Sequence, residues 1–127
     1  MENDKSAKID IGGKEYELVL TTRATKAIAA RYGRLENLGE KLMKTENFEL
    51  ALDEIIWLIT LLANQSVMIH NLKNNAKEPL LSEESVELLT TPLDLAAYKD
   101  AITEAMLKGT KRNVESEDES SKNAQVG

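Results

Sequence analysis

The sequence predicts a mostly α-helical single domain that opens with a β-hairpin, an α+β fold dominated by about five helices. Three observations point there. Aromatic residues are scarce (one Trp, three Tyr, one Phe) although hydrophobic residues make up 42% of the 127. The core must therefore be built mainly from Leu, Ile and Ala, which suit helices better than a sandwich. From Phe48 to Leu72 apolar residues recur every three or four positions, the period of a helix with a buried face. The stretch "IDIGGKEYELVL", Ile9 to Leu20, instead alternates about a Gly-Gly pair, as a hairpin does. Two strands alone are marginal in water, so this hairpin must pack on something.

Residues 1–8 read as a flexible N-terminus and 9–109 as one globular domain. In the hairpin, 9–20, a two-residue turn at Gly12-Gly13 sets Ile9 opposite Tyr16 and Ala7 opposite Leu18. Ile9, Tyr16, Leu18 and Leu20 then share an apolar face, with Asp10, Glu15, Glu17 and Val19 on the other. A helix over about 22–33 follows: Thr21 or Thr22 caps it, Ala24, Ile28 and Tyr32 form its stripe, and Gly33 ends it. A short helix at 36–44 carries Leu35, Leu38 and Leu42 on one side.

The main helix spans about 48–72. Phe48, Leu52, Ile55, Ile59, Leu62, Ser66 and Ile69 make a broad stripe flanked by Ala51, Ile56, Leu58 and Ala63. Opposite lies a second stripe, Leu50, Trp57, Leu61 and Met68. A helix apolar on two sides is the central member of a bundle or offers one side to a partner. After the polar break "NLKNNAKEP", Ser82 caps a helix at 83–90 with Val86, Leu88 and Leu89. Thr91-Pro92-Leu93-Asp94 starts the last helix, 92–108, with a Thr cap, Pro at the first helical position and an acid in the first turn. Leu95, Tyr98, Ile102, Ala105 and Met106 line one face, and Gly109 stops it. Residues 110–127 lack periodicity and are read as a disordered acidic tail.

The net charge is −6 and the pI about 4.9. Lys108, Lys111 and Arg112 are the nearest approach to a basic cluster and acids follow directly, so neither nucleic acid nor an anionic membrane surface is an expected partner. The chain has no cysteine, which excludes disulfides and thiolate chemistry. "MENDKSAK" lacks a signal-peptide pattern. The run "IIWLITLLA" is shorter than the roughly 20 residues of a membrane span, so an intracellular, soluble protein is expected.

Catalytic and metal sites are not expected. His70 is the sole histidine, has no Cys, Asp or Glu at ligand spacing, and reads as a helix-end or partly buried residue. Neither His70 nor Ser66 sits in an arrangement that activates a nucleophile. Asp53-Glu54 lies on a helix flank and Glu83-Glu84 in a first turn, where acids favour the helix dipole; neither pair resembles an acid/base couple with one member desolvated. Gly12-Gly13 is a turn without a phosphate-loop pattern. No cofactor and no enzymatic activity follow from these residues.

The order of elements carries a resemblance. The hairpin "IDIGGKEYELVL", the segment "LTTRATKAIAARYGRLENLGEKL", a long apolar helix and "LLSEESVELL" together resemble the tail assembly chaperones of long-tailed (siphovirus-type) phages and prophages, over about Ile9 to Gly109. The first helix departs from the pattern, since many relatives carry an acid where this chain has "AIAARYG". The resemblance implies a non-enzymatic role in the bacterial host cytoplasm, outside the mature virion: coating the long hydrophobic tape-measure protein while the tail tube polymerises. It also implies self-association and an ability to recruit tail-tube protein subunits. On this reading Leu50, Trp57, Leu61 and Met68 are the candidate partner-binding residues, because Trp and Met suit a surface that accepts varied partners. The outer hairpin edge at Glu17 and Val19 is the candidate self-association edge. Family members are often made in two lengths by a −1 frameshift, and "SKN", Ser121–Asn123, is encodable as a slip site, as is "LKN" at Leu72. Two other readings stay open: a small homo-oligomeric helical adaptor unrelated to virion assembly, and an acidic inhibitor that mimics nucleic acid.

Overall fold

Gly12 and Gly13 take φ of 61° and 86°, the left-handed conformation that a two-residue turn requires at both central positions and that glycine adopts without strain. They join β1 (Lys8–Ile11) to β2 (Lys14–Glu17). The antiparallel register pairs Ile9 with Tyr16 and Ile11 with Lys14, as the alternation predicts, and Leu18 N–H bonds Ala7 O at 2.8 Å. In this computed structural model residues 7–33 and 48–126 are described, with side chains over 7–33 and 51–109. The order continues with α1 (Thr22–Tyr32), α2 (Phe48–Asn74), α3 (Glu83–Leu89) and α4 (Pro92–Val126). The described residues thus hold four helices; the fifth expected helix, 36–44, lies outside them. The fold reaches back beyond its expected start at residue 9, because Lys8 is already in β1 and Ala7 is buried.

The hairpin's apolar face closes over the helices. Ala7, Ile9, Ile11 and Leu18 join one core with α1, α2, α3 and α4, and Tyr16 and Leu20 pack against it. Ala24, Ile28 and Tyr32 are the buried residues of α1, the stripe that the spacing predicts. Thr21 caps this helix by accepting from Ala24 N–H, and Gly33 ends it at φ 87°. Ile55, Leu58, Ile59 and Leu62 of α2 and Ile102 of α4 are almost fully buried. The core therefore lies on α2, with the hairpin and α4 on one side and α1 and α3 on its flanks.

At its C-terminus α2 ends on Asn75 in the left-handed region, φ 52°, and Ala76 N–H returns to Asn71 O at 3.0 Å. This six-to-one bond satisfies a carbonyl that the helix end leaves open. The chain then doubles back along α2 as a strap, fastened by two asparagines. Asn71 bonds both the N–H and the C=O of Glu78, at 3.0 and 3.1 Å. Asn64 does the same for Leu81, at 2.7 and 2.9 Å. A side-chain amide presents a donor and an acceptor side by side, so each Asn stands in for a strand neighbour.

Two boundaries differ from expectation at the far end. Gly109 does not stop the last helix, which continues to Val126. A Cβ at Gly109 would lie 2.8 Å from Leu20 Cβ; the glycine is there for close packing. The backbone of 110–126 is helical, not irregular. Lys, Glu, Ala and Gln in that stretch favour helix, and extending an existing helix adds one hydrogen bond per residue fixed. α2 is also longer and more apolar than its longest uninterrupted run suggests. Ala51–Asn74 has the length and composition of a membrane span, yet 44% of its most apolar window is buried within the fold, where it serves as the core helix.

Candidate functional site

The second stripe of α2 forms the floor of an open groove. Trp57, Leu61 and Met68 line it together with Thr60 and Asn64, enclosing about 370 Å³. One wall is α1, through Arg23 and Ala27; the other is the strap and the start of α3, through Leu80 and Glu83. Three of the four residues proposed from the sequence therefore meet in one place, each half-buried. Leu50, the fourth, has its side chain outside the described residues.

Helical geometry explains the two walls. At 100° per residue, Glu54 and Gln65 point to one side of the Trp57–Met68 line, and Asn64 and Asn71 to the other. Thr21 Oγ1 donates to Gln65 Oε1 at 2.5 Å, which holds the start of α1 on the first side. Tyr32 OH and Arg31 Nε both donate to Glu54 Oε1, the latter at 3.3 Å, which holds its end. α1 thus runs antiparallel to α2. The asparagine clamps hold the strap on the second side.

The Glu54 cluster was not legible in the sequence, where Asp53-Glu54 reads only as a pair on a helix flank. In the fold Glu54 is instead buried, at 8% exposure. A buried carboxylate requires partners, and it has both a cation and a hydroxyl. The only sequence signal is Arg31-Tyr32 in the last turn of α1, two donors side by side, and nothing local singles out Glu54, 22 residues beyond Tyr32, as their acceptor. Burial, then the Glu54 contact, pushes the Tyr32 hydroxyl well above its ordinary value. Burial works against the Arg31 charge, but its bonds to Glu54 and Tyr32 leave the guanidinium held above its ordinary value. Arg31 also stacks 4.4 Å over the Trp57 ring, and Tyr32 meets Trp57 edge-on at 5.9 Å. These contacts tie the Trp57 end of the groove to the end of α1.

The proposed edge at Glu17 and Val19 is placed differently. Val19 N–H donates to Leu62 O of α2 at 3.2 Å, so the backbone there is engaged within the chain and offers no free edge. Glu17 lies in a non-hydrogen-bonded pair with Lys8, which turns its N–H away from β1. On the β1 side, Tyr98 OH donates to Asp10 O and α4 covers that edge. Burial, with lesser contributions from Asp94 and Asp10, raises the Tyr98 hydroxyl above its ordinary value.

His70 is exposed near the end of α2, bonded to Asn74, and borders a second hollow with Glu15 and Glu78. Among the described residues no group of three or more His, Asp or Glu side chains is placed to hold a metal ion. Comparison of the chain with models of known families, with curated proteins and with solved structures finds no match.

Proposed function

We propose that the chain is a non-enzymatic chaperone of phage tail assembly that binds an apolar helical segment of the tape-measure protein in the host cytoplasm. The observation that carries this reading is the groove along α2. A long helix whose second apolar side is left as an open floor between two walls suits a helix-in-groove partner, and Trp57 and Met68 are the residue types that adapt to varied partners. The order of elements adds the resemblance that names the partner. Self-association and contact with tail-tube subunits belong to the same proposal.

Co-expression with a tape-measure protein and capture of the complex tests it. Leu61→Asp is expected to abolish capture while leaving helicity unchanged, because Leu61 is only half-buried. Met68→Ala, outside the core cluster, is expected to weaken it. Capture unaffected by both substitutions overturns the groove as the site. A second, larger product sharing residues 1 to about 122, seen by mass spectrometry of the gene expressed with its native downstream DNA, independently supports the family reading.

The alternative, a homo-oligomeric adaptor, draws on one observation. Leu88, Leu89 and Leu93 are exposed at 76%, 53% and 79%, clustered where α3 hands over to α4. Oligomers that dissociate on Leu88→Ser, with no tape-measure capture, favour it.

A further inference from the structure

The two walls of the groove differ in charge. On the α1 wall, Arg23 stands beside Met68 with its guanidinium 3.5 Å from the Met68 sulfur, a weak acceptor. No carboxylate pairs with Arg23 among the described residues. Farther along the same wall, Arg31 lies over Trp57 but is already paired with Glu54, so the wall's positive charge toward the groove rests on Arg23. The opposite wall presents Glu83 at the start of α3, exposed and without an ion-pair partner among the described residues. A groove with an apolar floor, one cationic wall and one anionic wall reads the direction of whatever helix lies in it. Turning a docked helix end for end keeps its apolar face down but exchanges its two flanks.

From this we infer that the groove binds an amphipathic helix of a partner protein in one direction only, set by an acidic flank against Arg23 and a basic flank against Glu83. The inference rests on reading the groove as the docking site. Floor positions Trp57, Leu61, Asn64 and Met68 span roughly 16 Å, about three helical turns, which matches a short helical segment. Handedness then assigns the direction. With α2 seen from the groove and its N-terminus uppermost, increasing residue angle carries side chains to the left, which is the α1 side by the contacts of Glu54 and Gln65. In a right-handed helix laid over that floor and parallel to α2, residues just before each apolar position fall on the left, and residues just after it on the right. A helix with Glu before and Lys after its apolar positions therefore docks parallel, with its N-terminus at Trp57. The opposite arrangement docks antiparallel.

Trp57 is the chain's single tryptophan and sits at one end of the floor, so its fluorescence reports direction. The probes are two synthetic helical peptides with leucines at spacings of four, three and four. One carries Glu before and Lys after each leucine, the other the reverse, and each is made with a quencher at its N- or C-terminus. On the full chain at low salt, the first peptide is expected to quench Trp57 several-fold more from its N-terminus, and the second from its C-terminus. The double variant Arg23→Glu, Glu83→Lys, two exposed positions, is expected to exchange these results. Raised salt should level them, since exposed charges are screened.

Equal quenching from both ends, a direction indifferent to the double variant, or no binding of either peptide overturns the inference. So does self-association that fills the groove, seen as dimers lost on Leu61→Asp. Tape-measure capture that Leu61→Asp abolishes, combined with direction-blind quenching, removes this inference alone. Absence of capture removes the reading beneath it.

Discussion

Gly109 has no side chain because Leu20 occupies the space one would need: a methyl group there would lie 2.8 Å from both Cβ and Cδ2 of Leu20. Gly→Ala in an exposed helix gains about 1 kcal/mol from propensity, whereas overpacking against a backbone-anchored Cβ costs about 1–3 kcal/mol. Gly109→Ala is therefore expected to lower stability, by urea denaturation, where propensity alone predicts a rise. Tyr32 sets an alkaline limit. Its hydroxyl titrates above the ordinary 10.0 in the folded chain, so the fold prefers the protonated form. That contribution is complete below the ordinary value and is lost as pH climbs from there toward the folded value. Stability should be level through neutral pH and fall beyond about 10. In Tyr32→Phe, which keeps the ring against Trp57, the alkaline fall should be shallower, with Tyr98 still contributing in the same direction.

Beyond apolar contact, elements are joined by hydrogen bonds to the backbone. The strap has no regular partner strand, so Asn64 and Asn71 supply its hydrogen bonds. Removing Asn64 leaves the Leu81 N–H and C=O without their partners at a half-buried position, a cost of about 1–3 kcal/mol. Asn64→Ala should show this in denaturation, with faster amide exchange confined to the strap. Asn71→Ala is expected to cost less, because water can replace its bonds at that exposed site. Proline separates the two hairpin positions by the same logic. Val19→Pro deletes the bond to Leu62 and should destabilise by at least about 1 kcal/mol. Glu17→Pro removes an N–H that faces away from β1 and should change stability less, while testing whether that short edge joins chains.

Taken as a whole, the molecule is a central helix with its surroundings arranged around it unevenly. One side of α2 is sealed by the hairpin and α4; the other is bordered by α1 and the strap, with the Trp57–Leu61–Met68 line left between them. Leu61→Asp should then affect partner capture and leave the circular dichroism spectrum unchanged. A core position such as Ile59→Asp should unfold the chain outright, because it buries an unpaired charge.

Much of this was readable along the chain. The Gly-Gly turn and the alternation around it determine the hairpin register. The four-residue spacing determines the buried stripe of α1, and Ser82 and Thr91-Pro92-Asp94 determine where α3 and α4 begin. Each depends on neighbours within a few residues, which is the range that periodicity and capping express. The burial of Glu54, the Asn64 clamp, the close approach at Gly109 and the engagement of Val19 each join residues 17 or more positions apart, and nothing local marks them. The second stripe of α2 shows the division most directly: the sequence determines that it is apolar, but only the placement of α1 on one flank and the strap on the other decides that it is a groove floor. An apolar helix face is compatible with burial or with docking, and which one holds depends on whether another element reaches it.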